Sequence, residues 1–157
     1  NQIIEMPSLM NQLFDDAQAY NVDYGHTLNL DIDSHCDLIG SDIELASAFS
    51  NLISNAIKYT PKGGTVTIGW HDDGEHGYFT VEDTGIGIDP KHLPRLTERF
   101  YRVDSARSRQ TGGTGLGLAI VKHVLMQHNA YLEIDSEENK GSTFRVVFPK
   151  ERLYMHE

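Results

Sequence analysis

Three stretches of this chain carry residue types that can handle a charged ligand. In NLISNAIKYTP, Asn51, Asn55 and Lys58 stand at i, i+4 and i+7, so a helix would align them in one stripe with Tyr59 at its edge. Asparagine is a mediocre helix former, and two of them one turn apart call for a reason. A carboxamide oxygen is a hard ligand able to hold Mg²⁺, which prefers oxygen donors and usually binds through few protein groups plus phosphates. Lys58 can then meet a phosphate, and Tyr59 can pack against a base. Taken alone, the segment reads equally well as a helix with exposed polar residues.

In DTGIGI, Asp83 ends a predicted strand just ahead of Gly85 and Gly87. A carboxylate there can accept a hydrogen bond from an exocyclic amino group, which adenine offers and guanine's O6 does not. A plain loop that needs positive φ at its glycines fits the same residues. The third stretch, GGTGLGL (Gly112 to Leu118), leads straight into an apolar helix, whose N-terminus and amides suit a polyphosphate. It is not a Walker A loop, because no Gly-Lys-Ser/Thr follows. Nor is it a dinucleotide fingerprint, because its spacing is wrong and no strand immediately precedes it.

The elements that must position these residues follow from period and punctuation. A short strand at Ile3–Met6 precedes a helix opened by Pro7 and Ser8 and running to about Tyr20, with Leu9, Leu13, Phe14 and Ala17 on one face. Thr27–Ile32 alternates and reads as a strand, and Cys36–Ile39 as a shorter one. Ser41 or Asp42 caps a long helix to about Tyr59, with Leu45, Ala46, Phe49, Leu52, Ile53, Ala56 and Ile57 as its apolar set. Thr65–Trp70 and Tyr78–Glu82 form a predicted hairpin. Asp89 and Pro90 open a short helix to about Glu98, and Leu116 to about His128 forms another. Tyr131–Asp135 and Ser142–Phe148 pair as the closing strands. This order predicts an α+β two-layer sandwich in one domain spanning residues 1–157.

Composition narrows the function classes. The net charge of −10 argues against general nucleic-acid binding, yet residues 91–122 hold seven Lys and Arg against two acids, while residues 1–57 hold nine acids and no Lys or Arg. A local positive field inside an acidic protein suits a compact anion. The single cysteine, Cys36, forms no internal disulfide, and the eight histidines show no metal-ligand spacing. His92 and His123 read as surface or interface positions. Nothing in the chain approaches a membrane span or a G-x-S-x-G nucleophile motif. A first residue of Asn1 is what a fragment of a longer protein would show.

Together and in order, these segments resemble the catalytic and ATP-binding domain of sensor histidine kinases. NLISNAIKYT looks like the N box, DTGIGI the first glycine box, ERFYRVD the F box, GGTGLGL the second glycine box and KGSTF a third. The similarity covers nearly all of residues 3–149, and RLTERFYRVDSARSRQTGGTGLGLAIVKH is most like the phosphate-sensing members.

The resemblance implies a Bergerat (GHKL) fold, a mixed sheet with helices on one face and an ATP lid over about residues 89–115. It also implies roles. Asn55 would hold Mg²⁺, Asn51 would support the phosphates, Lys58 would contact phosphate, and Tyr59 and Asp83 would meet the adenine. Gly85, Gly87 and Ile88 would line the pocket. Phe100 would anchor the lid, and Arg102 would reach the γ-phosphate, with Arg107 and Arg109 nearby. Gly113, Thr114, Gly115, Leu116 and Gly117 would hold the phosphates, and Thr143 would lie near the base.

The family's phosphoacceptor motif, a His followed by an acid and Arg/Lys-Thr/Ser-Pro, occurs nowhere in the chain. The implied partners are therefore a separate dimerisation and phosphoacceptor helical domain and a response regulator. The implied setting is the cytoplasmic part of a homodimeric inner-membrane sensor. Gyrase-, MutL- and heat-shock-type ATPases share the fold but place a water-activating Glu one turn before the metal Asn; here that position is Asn51, which cannot take a proton. A non-catalytic nucleotide-binding module is the remaining alternative. Asp104–Thr111 is too polar to pack by itself, so mobility without nucleotide is expected there.

Overall fold

Period-2 and period-3.6 apolar patterns meet here in one core. The computed structural model describes residues 2–84, 116–137 and 141–155. The elements in order are β1 (Gln2–Ile4), α1 (Met6–Tyr20), β2 (Thr27–Ile32), β3 (Asp37–Gly40), α2 (Asp42–Tyr59), β4 (Thr65–Asp72) and β5 (His76–Asp83). They are followed by α3 (Leu116–Gln127), β6 (Tyr131–Glu137), β7 (Gly141–Pro149) and β8 (Leu153–Tyr154). The short helix expected from Asp89 to Glu98 and the polar segment 104–111 lie outside the described residues.

Five strands form a mixed sheet in the order β2-β4-β5-β7-β6, with β2 parallel to β4 and every other neighbour antiparallel. One face is apolar: Val66, Ile68, Trp70, Phe79, Val81, Val146 and Phe148 are all buried beneath the helices. Residues of the opposite register, such as Thr67, Thr80, Glu82 and Arg145, form an open polar face. This is the expected α+β sandwich with helices on one side of the sheet. A second sheet, β1-β3-β8, joins the same core through Ile4, Leu38 and Leu153. Its strand β8 was not expected from the sequence.

Two helix faces sit slightly differently from the sequence expectation. In α1 the fully buried residues are Met6, Met10, Leu13 and Ala17, with Leu9 and Phe14 at the margin of the core. In α2, Ala48 is buried and Ala46 is not, because the stripe through Leu45, Phe49 and Leu52 continues through position 48. Ser41 caps α2 by accepting a hydrogen bond from the Glu44 amide at 3.3 Å. At the start of α1, Glu5 supplies no side-chain cap, and the buried carboxylate of Asp37 in β3 accepts from the Met6 amide at 2.9 Å instead. The middle of the core is aromatic. Phe49 stacks on Phe79 with ring centroids 4.0 Å apart, and Phe148 meets Phe49 edge-on at 6.1 Å.

Candidate functional site

Two anchors fix where α2 lies on β5. Phe49 stacks on Phe79. Eleven residues later, Thr60 ends the helix beside Gly64, where a Cβ would collide with the Thr60 methyl and come within 2.9 Å of Thr84 Oγ1. The helix rises about 16 Å between these points, and β5 rises about 17 Å from residue 79 to 84. Helix and strand therefore run side by side in the same direction, and Asn55, Lys58 and Tyr59 come level with the end of β5. Asn51, Asn55, Lys58 and Tyr59 are each half-buried. That is the stripe the spacing predicts.

Asp83 is the last residue of β5 and continues the helix-facing row Phe79, Val81, so its carboxylate is buried at 8% exposure. Around it the backbone is tightly drawn. Thr84 donates its N–H to the Thr65 carbonyl at 3.2 Å, and its Oγ1 accepts from the Thr65 amide at 3.0 Å. On the other side β7 enters through Gly141 with φ of +129°, and a side chain there would strike the Asp83 carbonyl. The glycine of KGSTF is thus required by close backbone approach.

Register separates two neighbouring hydroxyls of β7. Asp83 pairs with Ser142, whereas Glu82 pairs with Thr143. Facing alternates along a strand, so Ser142, 7% exposed, shares the helix side with Asp83. Thr143 lies on the open face instead, in a groove of about 460 Å³ with Glu82 and Arg145. The resemblance gave the place near the base to Thr143, and neighbouring residues of a strand face opposite sides of the sheet.

The N-terminus of α3 completes the described part of the site. His128, just past its C-terminus, accepts the Ser41 amide at Nε2 (3.0 Å) and donates from Nδ1 to the Val124 carbonyl (2.8 Å). This ties the end of α3 to the start of α2, so the packed pair is antiparallel. Twelve residues of α3 span about 18 Å, which brings its first turn, with Leu116 and Gly117, level with the middle of α2 near Asn51 and Asn55. The positive end of the α3 dipole therefore points toward the half of α2 that carries the two carboxamides. Gly85, Gly87, Ile88, Phe100, Arg102, Arg107, Arg109, Gly113, Thr114 and Gly115 lie outside the described residues, as does His92. His123 is exposed on α3, as expected.

The donor set fits a hydrated hard cation shared with phosphates. Among the described residues no three His, Cys, Asp or Glu side chains converge on a metal position. A cation held by an Asn carboxamide would draw its other ligands from water and phosphate oxygens.

Residues 40–152 match the family described as histidine kinase-, DNA gyrase B-, and HSP90-like ATPase. The chain belongs to this ATPase family. Among curated relatives it is 55% identical over 148 residues to the phosphate regulon sensor protein PhoR of Pseudomonas aeruginosa, covering 94% of this chain and 33% of that protein. It is 46% identical over 146 residues to PhoR of Haemophilus influenzae, covering 93% and 34%. The chain therefore spans about one third of the length of these curated relatives. Among solved structures, the mycobacterial sensor histidine kinase MprB superposes with a TM-score of 0.83 at 29% identity, over 94% of this chain and 97% of that one. Full-length ShkA in complex with AMPPNP gives 0.81 at 25% identity, over 94% and 30%. Within the ATPase family, then, this member stands with the sensor histidine kinases, and its fold is the Bergerat sandwich of their catalytic domains. No helix among the described residues is long and apolar enough to cross a membrane.

The sequence reading missed Ser142, Thr84 and Thr60. Each has a signal only in pairing: Ser142 through register, Thr84 through its bonds to Thr65, and Thr60 through its hydroxyl bond to the Ala56 carbonyl at 2.7 Å.

Proposed function

We propose that this chain is the catalytic and ATP-binding domain of a two-component sensor histidine kinase. It binds Mg-ATP and gives up the γ-phosphoryl group to a histidine on a separate dimerisation domain, for onward transfer to a response regulator. The carrying observation is the parallel run of α2 and β5, which brings half-buried Asn55, Lys58 and Tyr59 level with the buried Asp83.

In this reading the Asn55 carboxamide oxygen holds Mg²⁺, whose chemistry is to neutralise charge on the phosphates. Lys58 offers its ammonium to a phosphate oxygen, Tyr59 lies against the adenine, and the Asp83 carboxylate accepts from the exocyclic amine. Ser142 takes the place first given to Thr143 beside the base. The amides of the second glycine box and the first turn of α3 receive the phosphates, and Arg102 serves the transferred group with Phe100 anchoring the lid over about residues 89–115. Asn51 sits one turn before Asn55, where the water-splitting relatives carry a carboxylate. Without a proton acceptor there, the residues favour transfer to a positioned imidazole over hydrolysis. The domain acts in the cytoplasm, within a homodimeric membrane sensor responsive to phosphate status.

The test is calorimetric titration of Mg-ATP into the wild-type chain and Asn55→Ala, followed by addition of the phosphoacceptor hairpin in trans. Binding lost in Asn55→Ala and acid-labile phosphohistidine on the hairpin are the expected results. Unchanged affinity in Asn55→Ala would remove the metal assignment, and steady ATP turnover abolished by Asn51→Ala would reinstate the ATPase alternative.

A further inference from the structure

The turn ahead of β2 devotes several contacts to placing one buried ring that the proposed mechanism does not use. His26 is 7% exposed. Gly25 turns the chain with φ of +70°. The Asn21 amide donates to the His26 carbonyl at 2.7 Å, and its oxygen accepts from the His26 N–H at 3.1 Å. The imidazole stacks on Tyr24 at 5.9 Å, which stacks in turn on Tyr20 at 5.5 Å. Held this way, the ring reaches beyond its own segment with one hydrogen bond: Nε2 to the Ile57 carbonyl, 2.8 Å, across 31 residues of sequence.

A carbonyl only accepts, so Nε2 carries the proton. Nδ1 is buried with no hydrogen-bond partner among the described residues. Leaving a ring nitrogen bare has a desolvation cost, and the fold tolerates it to deliver the other nitrogen to Ile57. That carbonyl belongs to the last turn of α2, where the helix has no amide left to satisfy it and where the dipole is negative. The neighbouring Ala56 carbonyl is satisfied twice by Thr60, through its N–H at 3.1 Å and its hydroxyl at 2.7 Å. Lys58 and Tyr59 follow Ile57 directly.

We infer that His26 is a positioning residue for nucleotide binding: its Nε2–H pins the final turn of α2 and so fixes how Lys58 and Tyr59 are presented. The inference rests on the nucleotide-site reading of that helix. It differs from simple core filling in one respect. A filler can be replaced by an aromatic ring of similar size, whereas a positioning donor needs its N–H.

The experiment compares the wild-type chain, His26→Phe and His26→Gln by calorimetry with Mg-AMPPNP, well below the melting temperature of each. Phenylalanine keeps the stacking and loses the donor, and affinity should fall about tenfold, as expected for one lost hydrogen bond to a buried carbonyl. Glutamine keeps an amide N–H at similar reach and should recover most of that loss. In nucleotide-free protein, the backbone amide resonances of Lys58 and Tyr59 should move in His26→Phe and return in His26→Gln. Wild-type affinity in His26→Phe, or equal losses in both variants, overturns the inference. So does a wild-type NMR spectrum in which the His26 proton sits on Nδ1, a measurement that needs no variant to fold. A wild-type chain that binds no nucleotide while the amide shifts behave as described would count against the nucleotide reading alone.

Discussion

Helix α2 is held at both ends by a histidine, and the two ends use opposite tautomers. At the N-terminus His128 presents a bare Nε2 to the Ser41 amide and keeps its proton on Nδ1 for the Val124 carbonyl. At the C-terminus His26 presents a protonated Nε2 to the Ile57 carbonyl. The polarity matches the helix: free amides need an acceptor at one end, and free carbonyls need a donor at the other. What differs is what each end carries. The His128 end joins α2 to α3 far from the asparagine stripe, whereas the His26 end carries Lys58 and Tyr59. The same side chain thus serves fold stability at one end and site geometry at the other.

The largest expected effect comes from the middle that the two ends share. Phe49 is fully buried between Phe79 and Phe148. Phe49→Ala should destabilise by about 3–5 kcal/mol, the usual cost of emptying a buried aromatic site. Urea denaturation measures it. A loss under 1 kcal/mol would mean that the ends, not the core contact, hold the helix.

His128 sharpens the contrast. Replacing it with Ala leaves the Ser41 amide without its buried partner and should cost about 1–3 kcal/mol. Gly40→Ala should act in the same direction, because a Cβ there would fall against the imidazole, 2.7 Å from Nε2. Neither change should alter Mg-ATP affinity more than about twofold at a temperature where the protein stays folded, since Ser41 lies about 15 Å along the helix axis from Asn51. Affinity falling in step with stability would erase the distinction between the ends.

Next in size is a test of which strand face belongs to the site end. Ser142→Val should weaken nucleotide binding about five- to tenfold through one lost polar contact, and Thr143→Val, on the open face, should leave it within error. The reverse result would put the β7 register argument at fault.

Much of this arrangement was legible in the sequence, though unevenly. Ser41, the apolar period and the Asn-Asn-Lys stripe of α2 are local signals, so the helix and its functional face could be read directly. Strand β8 has two residues and exists because Leu153 pairs with Leu38, more than a hundred positions away. The choice between Ser142 and Thr143 depends on a register set by β5. His26 carried no sign at all, because its partner is 31 residues distant and its ring resembles any buried aromatic. Local chemistry shows in a sequence; long-range pairing that orients it does not.

The smallest effect tests whether tuning of this kind is confined to the ends of α2. At the β4–β5 turn, Tyr78 donates its hydroxyl to Asp73 at 2.7 Å, and Asp73 also accepts the Glu75 and His76 amides. The tyrosine bond, with these two amides, holds the Asp73 carboxyl down at about 2, and the same bond raises the Tyr78 hydroxyl to about 12. A depressed carboxyl contributes stability that is present above its unfolded value of 3.8 and lost as the pH falls through the folded value, so the window is about pH 4 to 2. Tyr78→Phe should raise the Asp73 value part of the way to 3.8 in an NMR titration, the two amides retaining the rest, and narrow that window. Because Asp73 is fully solvent-exposed, screening keeps the effect on neutral-pH stability small. Nucleotide affinity should not change, because this turn lies at the far end of β5 from Asp83. A shift in affinity would mean that the strand transmits changes along its length, and the difference between the two ends of α2 would then be one of degree.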